Sequence, residues 1–495
     1  MLGIELPEED ARMAETTRRN ITLLQVNDTH GYLEPHPELV WHGAKPRFPR
    51  LGGYARIAGY LKRVRSECAH AVVALDNGDT FHGTYAAVSS KGEALVPLTN
   101  ALAFDAMTAH WEFAWGPAHF KTLARRLDYP VLAINCFDKK TGRRPFAASR
   151  VIERGGLRIG VIGVAAAIVD KTMPPHFSEG LRFTNGDKEL PREIRRLRQR
   201  EQVDLIVVLS HLGLPQDVKL AGLVDGIDVI LSGHTHDRLE RPVVANGAMI
   251  IQSGCHGAFV GRLDVSVGND GVQLERHELV VMDDTIEPDP AMAELVEGVM
   301  APLRDRLSIP VGSIDTALHR NTILDCTMDD LLLAALCHAS GRKIAFSNGW
   351  RYGAPIPAGQ VAMNDLWNII PVNPPVSTVT MTGEEIRAMM EQNLDRTFCA
   401  DPFGQMSGYV KRFCGLTIFA KIENPFGSRI VEIFAGQEKL DAQADYEVAF
   451  VTAQGVPGRF GRDRRQMPVT AIEALQAQLS DRARDPVTPG RVIPI

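Results

Sequence analysis

Several features are missing, and each absence narrows what the chain can be. Its seven cysteines, Cys68, Cys136, Cys255, Cys326, Cys337, Cys399 and Cys414, are odd in number and contain no C-x-x-C pair, which argues against a disulfide framework and for reduced structural thiols. No apolar run approaches transmembrane length, and the stretch 1–20 carries Glu5, Glu8, Glu9 and Asp10 in place of a signal-peptide core. The expectations are no membrane partner and a cytoplasmic location, or a periplasmic one if the native start differs. Positive charge is short too: 54 lysines and arginines face 60 aspartates and glutamates, a net charge of −6. With no basic stripe, nucleic acid is not an expected partner, and small solutes are. There is neither an internal repeat nor a low-complexity tract.

What is present divides by pattern. At 495 residues the chain exceeds one ordinary core, so two or three domains are expected. A polar tail over 1–20 precedes 21–286, where short β-branched runs alternate with amphipathic helical spacing, as in 55–64. Such alternation implies a layered α/β domain. Residues 287–308 open with Pro288 and Pro290 and continue with Met292, Leu295, Val296 and Val299 at helical spacing, which predicts an interdomain helix. From 309 to 495 the order changes to helices over 329–338 and 383–394 and strands near 416–419 and 446–451, an α+β pattern.

Five apolar stretches, 21–26, 71–75, 106–108, 205–209 and 228–231, are each followed closely by acid or imidazole: Asp28-Thr29-His30, Gly78-Asp79, Ala109-His110, Ser210-His211 and Gly233-His234-Thr235-His236. The carboxyl ends of strands are where open α/β sheets hold ligands. Any one run reads equally well as a helix cap or a solvated loop; five in succession point to a centre for two divalent ions. Asp28, His30 and His236 are expected on one ion and His110, His211 and His234 on the other. Asp79, alone after its strand, is expected to bridge them, with Gly78 and Gly83 allowing close backbone approach. Two ions bring four positive charges, of which the two aspartates and a bridging hydroxide cancel three, so an anionic substrate is favoured. No cysteine accompanies these runs, and nitrogen and oxygen ligands suit manganese, iron or zinc without choosing among them. His36, His42, His82, His119, His176, His277, His319 and His338 stand alone and are expected in packing or at the surface. His256, in Gln252-Ser253-Gly254-Cys255-His256-Gly257, is expected behind the ligands.

The succession Asp-x-His, Gly-Asp, a histidine–glutamate run, Ser-His and Gly-His-Thr-His resembles the calcineurin-like metallophosphoesterases. With Met381-Thr382-Gly383-Glu384-Glu385 and Gln405-Met406-Ser407-Gly408 included, it resembles their 5'-nucleotidase family. The resemblance implies a layered α/β metallophosphoesterase domain, a β-sandwich flanked by helices, over 21–286. It further implies an α+β 5'-nucleotidase C-terminal substrate-binding domain over 309–495.

Three departures separate the chain from the nucleotidases. Where they have Gly-Asn-His-Glu-Phe-Asp, it reads Ala109-His110-Trp111-Glu112-Phe113-Ala114, so the transition-state histidine becomes Trp111 and its aspartate partner Ala114. Their anion loop appears as Asn348-Gly349-Trp350-Arg351-Tyr352-Gly353, which retains Arg351 as an expected oxoanion clamp beside Asn348, Trp350 and Tyr352. Their late base-holding segment is replaced by 451–458. These departures resemble the Sox-type thiosulfohydrolases, a branch that the resemblance implies uses two manganese ions on a sulfonate carried by a thiol carrier protein.

The expected chemistry is attack by a metal-bridging hydroxide on an oxoanion ester or thioester-like sulfonate with a good leaving group. The indole of Trp111 only donates a hydrogen bond and supplies no mobile proton, and general acid catalysis is typically worth ~10²–10⁴ in rate. Glu112 and His256 are the alternative proton sources. Two other readings stand beside this one: a 5'-nucleotidase or nucleotide-sugar phosphohydrolase, and a non-catalytic metal-binding homologue.

Overall fold

A computed structural model describes residues 18–68, 71–406, 408–480 and 487–495; the expected tail over 1–17 and Ser407 of the Gln405–Gly408 run lie outside it. The first strand, Arg19–Val26, begins two residues before the expected start at Ile21. Arg18 anchors its end by pairing with Asp270.

Two sheets make the N-terminal half. In the first, five strands run in the order Gly271–Val281, Phe259–Gly268, Arg19–Val26, Val72–Asp76, Ala106–Met107. The second has six: Val243–Ala245, Ala248–Ile251, Val229–Ser232, Leu205–Ser210, Leu157–Val164, Ser149–Arg154. Within each sheet the site-bearing strands run parallel to one another, Thr22 opposite Val72, Leu75 opposite Ala106, Val207 opposite Val229. Their apolar runs are nearly continuous because both faces are covered. Leu23, Val73, Leu75, Val207 and Leu231 meet between the sheets. On the outer faces, Leu24 and Ala74 pack against Ile57 and Leu61 of helix Tyr54–Glu67, and Ile206 and Ile230 against Leu197 and Leu220. Each such buried aliphatic side chain contributes roughly 1.5–3 kcal/mol. The result is the helix-flanked sandwich that the sequence implies.

The linking helix spans Pro290–Leu307, with the Asp289 side chain accepting from the Met292 N–H at 2.9 Å. Met292 and Val296 are buried, but Leu295 is exposed, so the seam is narrower than the sequence spacing suggested.

The C-terminal half is a mixed sheet, in the order Arg412–Cys414, Ile344–Ser347, Asp445–Phe450, Pro375–Thr382, Arg462–Thr470. Helices Thr327–Ser340 and Gly383–Phe398 accompany it. The second opens with a capping box: the Thr382 side chain accepts from the Glu385 N–H, and Glu385 accepts from the Thr382 N–H. The halves touch at the site, where Ala354 donates its N–H to the Tyr32 hydroxyl at 2.7 Å and Gln216 donates to the Gln405 carbonyl at 3.1 Å. Among the described residues no helix is long and apolar enough to cross a membrane. Residues 40–47 form a largely exposed hairpin, Val40–His42 against Lys45–Arg47.

Candidate active site

All five motif runs lie at the carboxyl ends of parallel strands, at one edge of the two sheets. Asn77 ties the edges together. Its amide donates to the carbonyls of Ser210 and Leu231 at 2.9 and 2.6 Å, so a residue of the first sheet fixes the ends of two strands of the second. The loops are strained into shape: Asp28, His30, Asp79, His234, His236 and His256 all have positive φ, between 49° and 77°. Left-handed backbone costs a non-glycine residue roughly 1–3 kcal/mol, and its concentration here marks a site held by its surroundings. Glycine makes the close approach at two points. A Cβ at Gly83 would lie 2.6 Å from the Cβ of His30, and one at Gly78 would lie 2.7 Å from the Thr108 carbonyl oxygen.

The seven expected ligands converge. Asp28, His30 and His236 offer ligand atoms within 4.8 Å of one another, and Asp79, His110, His211 and His234 form a second such group. Asp79 faces both groups: its oxygens lie 3.2 Å from His110 Nδ1, 3.2 Å from His211 Nε2 and 3.7 Å from His30 Nε2. Asp28 Oδ1 lies 3.3 Å from His236 Nε2. Ring orientation is set from behind, as second contacts do in metal sites. His30 Nδ1 donates to the His82 carbonyl at 3.0 Å and His211 Nδ1 to the Asn77 carbonyl at 2.6 Å, which turns each Nε2 into the cluster. His30 and His236 bring their Nε2 atoms within 3.3 Å, and among the described residues the buried His110 Nε2 has no hydrogen-bond partner. Burial pushes His30 down to about 3, so it is a neutral donor at pH 7. Burial also opposes ionisation of Asp79, but His110 and His211 outweigh it and hold the carboxyl well below its usual range. At His211 and His236 burial is outweighed instead, by Asp79 and Asp28 at the first, which push it up to about 10, and by Cys255 and Asp28 at the second, so these two imidazoles hold protons that a bound divalent cation would displace.

Several supporting residues carry no sequence signal of this kind. Asn27 donates to Asp28 Oδ2 at 2.8 Å. The Trp111 N–H donates to Asp79 Oδ1 at 2.8 Å. Buried Glu38 accepts from His256 Nδ1 at 3.0 Å and pairs with Arg238 at 2.7 Å. His36 and His82, expected to be ordinary packing residues, are buried beside the site. His36 lies 5.8 Å from the His256 ring, and His82 stacks on Trp111 at 4.4 Å and 20°. One expectation is corrected: a cysteine does accompany the ligands. Cys255 Sγ lies 3.4 Å from His256 Nδ1 and forms a further group with His236 and His256. It arrives on the loop after Ala248–Ile251, the next parallel strand, beside His256 in sequence.

A cavity of about 480 Å³ opens over the cluster between the two halves. Asn348, Trp350, Arg351 and Tyr352 all line it, as does Trp111. Arg351 donates to the carbonyls of His234 and Gly408, both at 3.3 Å. Arg320, which sequence reasoning passed over, supports this loop: it pairs with Asp329 at 3.0 Å and donates to the Tyr352 carbonyl at 2.9 Å. Trp111 is caged by His82, by Phe177 at 5.6 Å and by Tyr352 at 5.6 Å. Glu112 and His256 do not line the cavity. The Glu112 oxygens accept the backbone N–H groups of Thr80 and His110, both at 2.7 Å, which staples two ligand loops.

Residues 21–238 match the family model for the calcineurin-like phosphoesterases, and residues 307–453 match that for the 5'-nucleotidase C-terminal domain. The chain is 25% identical over 468 residues to the trifunctional nucleotide phosphoesterase protein YfkN of Bacillus subtilis; the match takes in 84% of this chain but only 30% of that longer protein. It is 23% identical to a 5'-nucleotidase of Vibrio vulnificus, covering 90% of this chain and 86% of that one. Among solved structures, sulfate thiohydrolase SoxB of Thermus thermophilus superposes with a TM-score of 0.87 at 25% identity, over 96% of both chains. A 5'-nucleotidase precursor from the same species gives 0.82 at 23% identity, over 96% of this chain and 99% of that one, and shares the fold. With both halves matched in order, the chain belongs to the metal-dependent hydrolases of the calcineurin-like phosphoesterase and 5'-nucleotidase family.

Proposed function

We propose that the chain hydrolyses a small oxoanion, phosphoryl or sulfonyl, joined to a group that departs as a stable anion, in the manner of a thiosulfohydrolase. Asp28, His30 and His236 would hold one divalent ion and His110, His211 and His234 the other, with Asp79 reaching both; a nitrogen and oxygen set of this kind suits manganese. Such ions supply Lewis-acid polarisation of the oxoanion and make water a better nucleophile at neutral pH.

The protein's own groups do the rest. Arg351 orients the oxoanion, since its fork forms stronger charge-assisted bonds with anionic oxygens than with the carbonyls that now hold it at 3.3 Å. Asn348 lines the same wall and adds an amide donor. Trp111 fills the place of the missing acid, and its indole, a hydrogen-bond donor only, supplies no mobile proton there. Glu112 acts by holding ligand loops, because its oxygens accept backbone N–H groups, and His256 is oriented through Nδ1 by Glu38 behind the ligands.

The observation that carries this reading is that no imidazole or carboxyl group is left over to act as an acid at the ligand cluster. Among the described residues, the only imidazole and carboxyl groups lining the cavity are the ligands themselves. A sugar alkoxide leaves poorly under those conditions; a persulfide or a phosphate leaves well. The experiment is a parallel assay of sulfate release from S-thiosulfonated thiols, including one on a carrier protein, and of phosphate release from nucleotides and nucleotide sugars, on manganese-loaded protein. Release from the thiosulfonates or the anhydrides, with AMP hydrolysed slowly, is expected. Fast AMP hydrolysis alone would replace this reading with a 5'-nucleotidase, which the resemblance to the Vibrio protein supports. Silence on all substrates with two ions bound would leave a non-catalytic homologue.

A further inference from the structure

The end of the cavity built by the C-terminal half has its own chemistry. Among the described residues, five cationic side chains, Lys171, Arg351, Arg396, Lys411 and Arg459, line the cavity against a single carboxylate, Asp79. Two of these are accounted for. Arg351 sits at the ligand cluster, and Lys171 pairs with Asp170 at 2.8 Å. Arg396, Lys411 and Arg459 remain, contributed by helix Gly383–Phe398, by the segment before strand Arg412–Cys414 and by the loop that follows 451–458. The carboxylate nearest along the chain, Asp395, is committed to Arg429 at 2.8 Å.

Lys411 is buried, with Nζ donating to the carbonyls of Gln454 and Gly455 at 2.5 and 2.8 Å. It thus pins the loop that presents Arg459. The three side chains share one cavity lining; burial pushes the Lys411 ammonium down to about 7, and Arg396 and Arg459 press the same way. Like charges gathered on a cavity wall without a counter-carboxylate repel one another, and a bound anion relieves that repulsion. The loop belongs to the segment in which the sequence lacks a base-holding aromatic, and no phenylalanine lines the cavity among the described residues.

We infer that the substrate is anionic at both ends: one oxoanion at the ligand cluster and Arg351, and a second anionic group, carboxylate or phosphate, held by Arg396 and Arg459 with Lys411 behind them. This rests on the hydrolase reading and narrows its substrate class to compounds with a charged tail where a nucleotide carries a flat base.

The test is calorimetric binding of two ligand series to manganese-loaded protein: alkylphosphonates, and phosphonates of equal length ending in carboxylate or in a second phosphonate. A tenfold or larger affinity gain from the second charge is expected at one chain length. The better terminal group tells carboxylate from phosphate. In Arg459→Gln, a change at an exposed side chain, the ratio between the series falls toward one, and Arg396→Gln behaves alike. Equal affinity of both series for the wild type, or a ratio that survives both substitutions, overturns the inference while leaving the hydrolase reading intact. Failure of either series to bind even with two ions present overturns both.

Discussion

Restoring the missing acid tests the leaving-group argument directly. Residues Trp111–Trp115 form a 3₁₀ helix, in which positions three apart eclipse, so 111 and 114 share one face. Trp111→His with Ala114→Asp therefore places an imidazole against the cavity with a carboxylate beside it. The cost falls on the cage: the indole loses its stack on His82 at 4.4 Å and its edge contacts with Phe177 and Tyr352, roughly 2 kcal/mol of stability for a partial truncation. The gain is general acid catalysis, ~10²–10⁴ in rate, or roughly 3–5 kcal/mol of barrier. It should appear only where the leaving group needs a proton. Phosphate release from an alkyl phosphate is expected to rise ~10²-fold, the low end because the new carboxylate at buried position 114 is itself desolvated. Release from p-nitrophenyl phosphate, whose leaving group is already acidic, should change by less than about 3-fold. The readout is the slope of log kcat/KM against leaving-group pKa, steep for wild type and flattened for the double variant. A folded variant with both ions bound and an unchanged slope would refute the reasoning.

Two further outcomes follow from the geometry. Asp79→Asn should reduce bound metal from two ions per chain to fewer than one by elemental analysis, because Asp79 faces both ligand groups, whereas His236→Ala should cost one; loss of a single ion from the Asp79 variant would deny the bridge. For Lys411, depressed from 10.5 to about 7, the unfolded chain holds a proton that the folded chain has lost between those values. Unfolding then takes up a proton and stability rises with pH across that window, by up to about 1.4 kcal/mol per pH unit. Denaturant melts at pH 7 and 9 should show wild type gaining relative to Lys411→Met, and parallel behaviour would show that the ammonium is not depressed.

The ligand runs were legible because each is short and follows a strand whose apolar run is conspicuous. Period and position told where Asp28, His30, Asp79, His110, His211, His234 and His236 stand along the chain, and parallel pairing brings all such strand ends to one edge. The layered fold was legible for the same reason, since strands covered on both faces read as unbroken apolar runs. Glu38, His36, His82, Asn77 and Cys255 were not, because their roles depend on partners in other parts of the fold, such as His256 for Glu38 and the strand ends at Ser210 and Leu231 for Asn77. Glu112 reads as an acid in sequence, and only the backbone amides folded around it turn it into a staple.

By itself, then, the sequence determined the order of strands and ligands and the replacement of the acid by Trp111, since these are local facts of residue type and period. Only the tertiary structure decided which nitrogen of each imidazole faces the cluster, that Cys255 stands beside it, and that Arg396, Lys411 and Arg459 line one cavity with it. Those depend on long-range packing, and hydrogen bonding and charge act through space rather than along the chain.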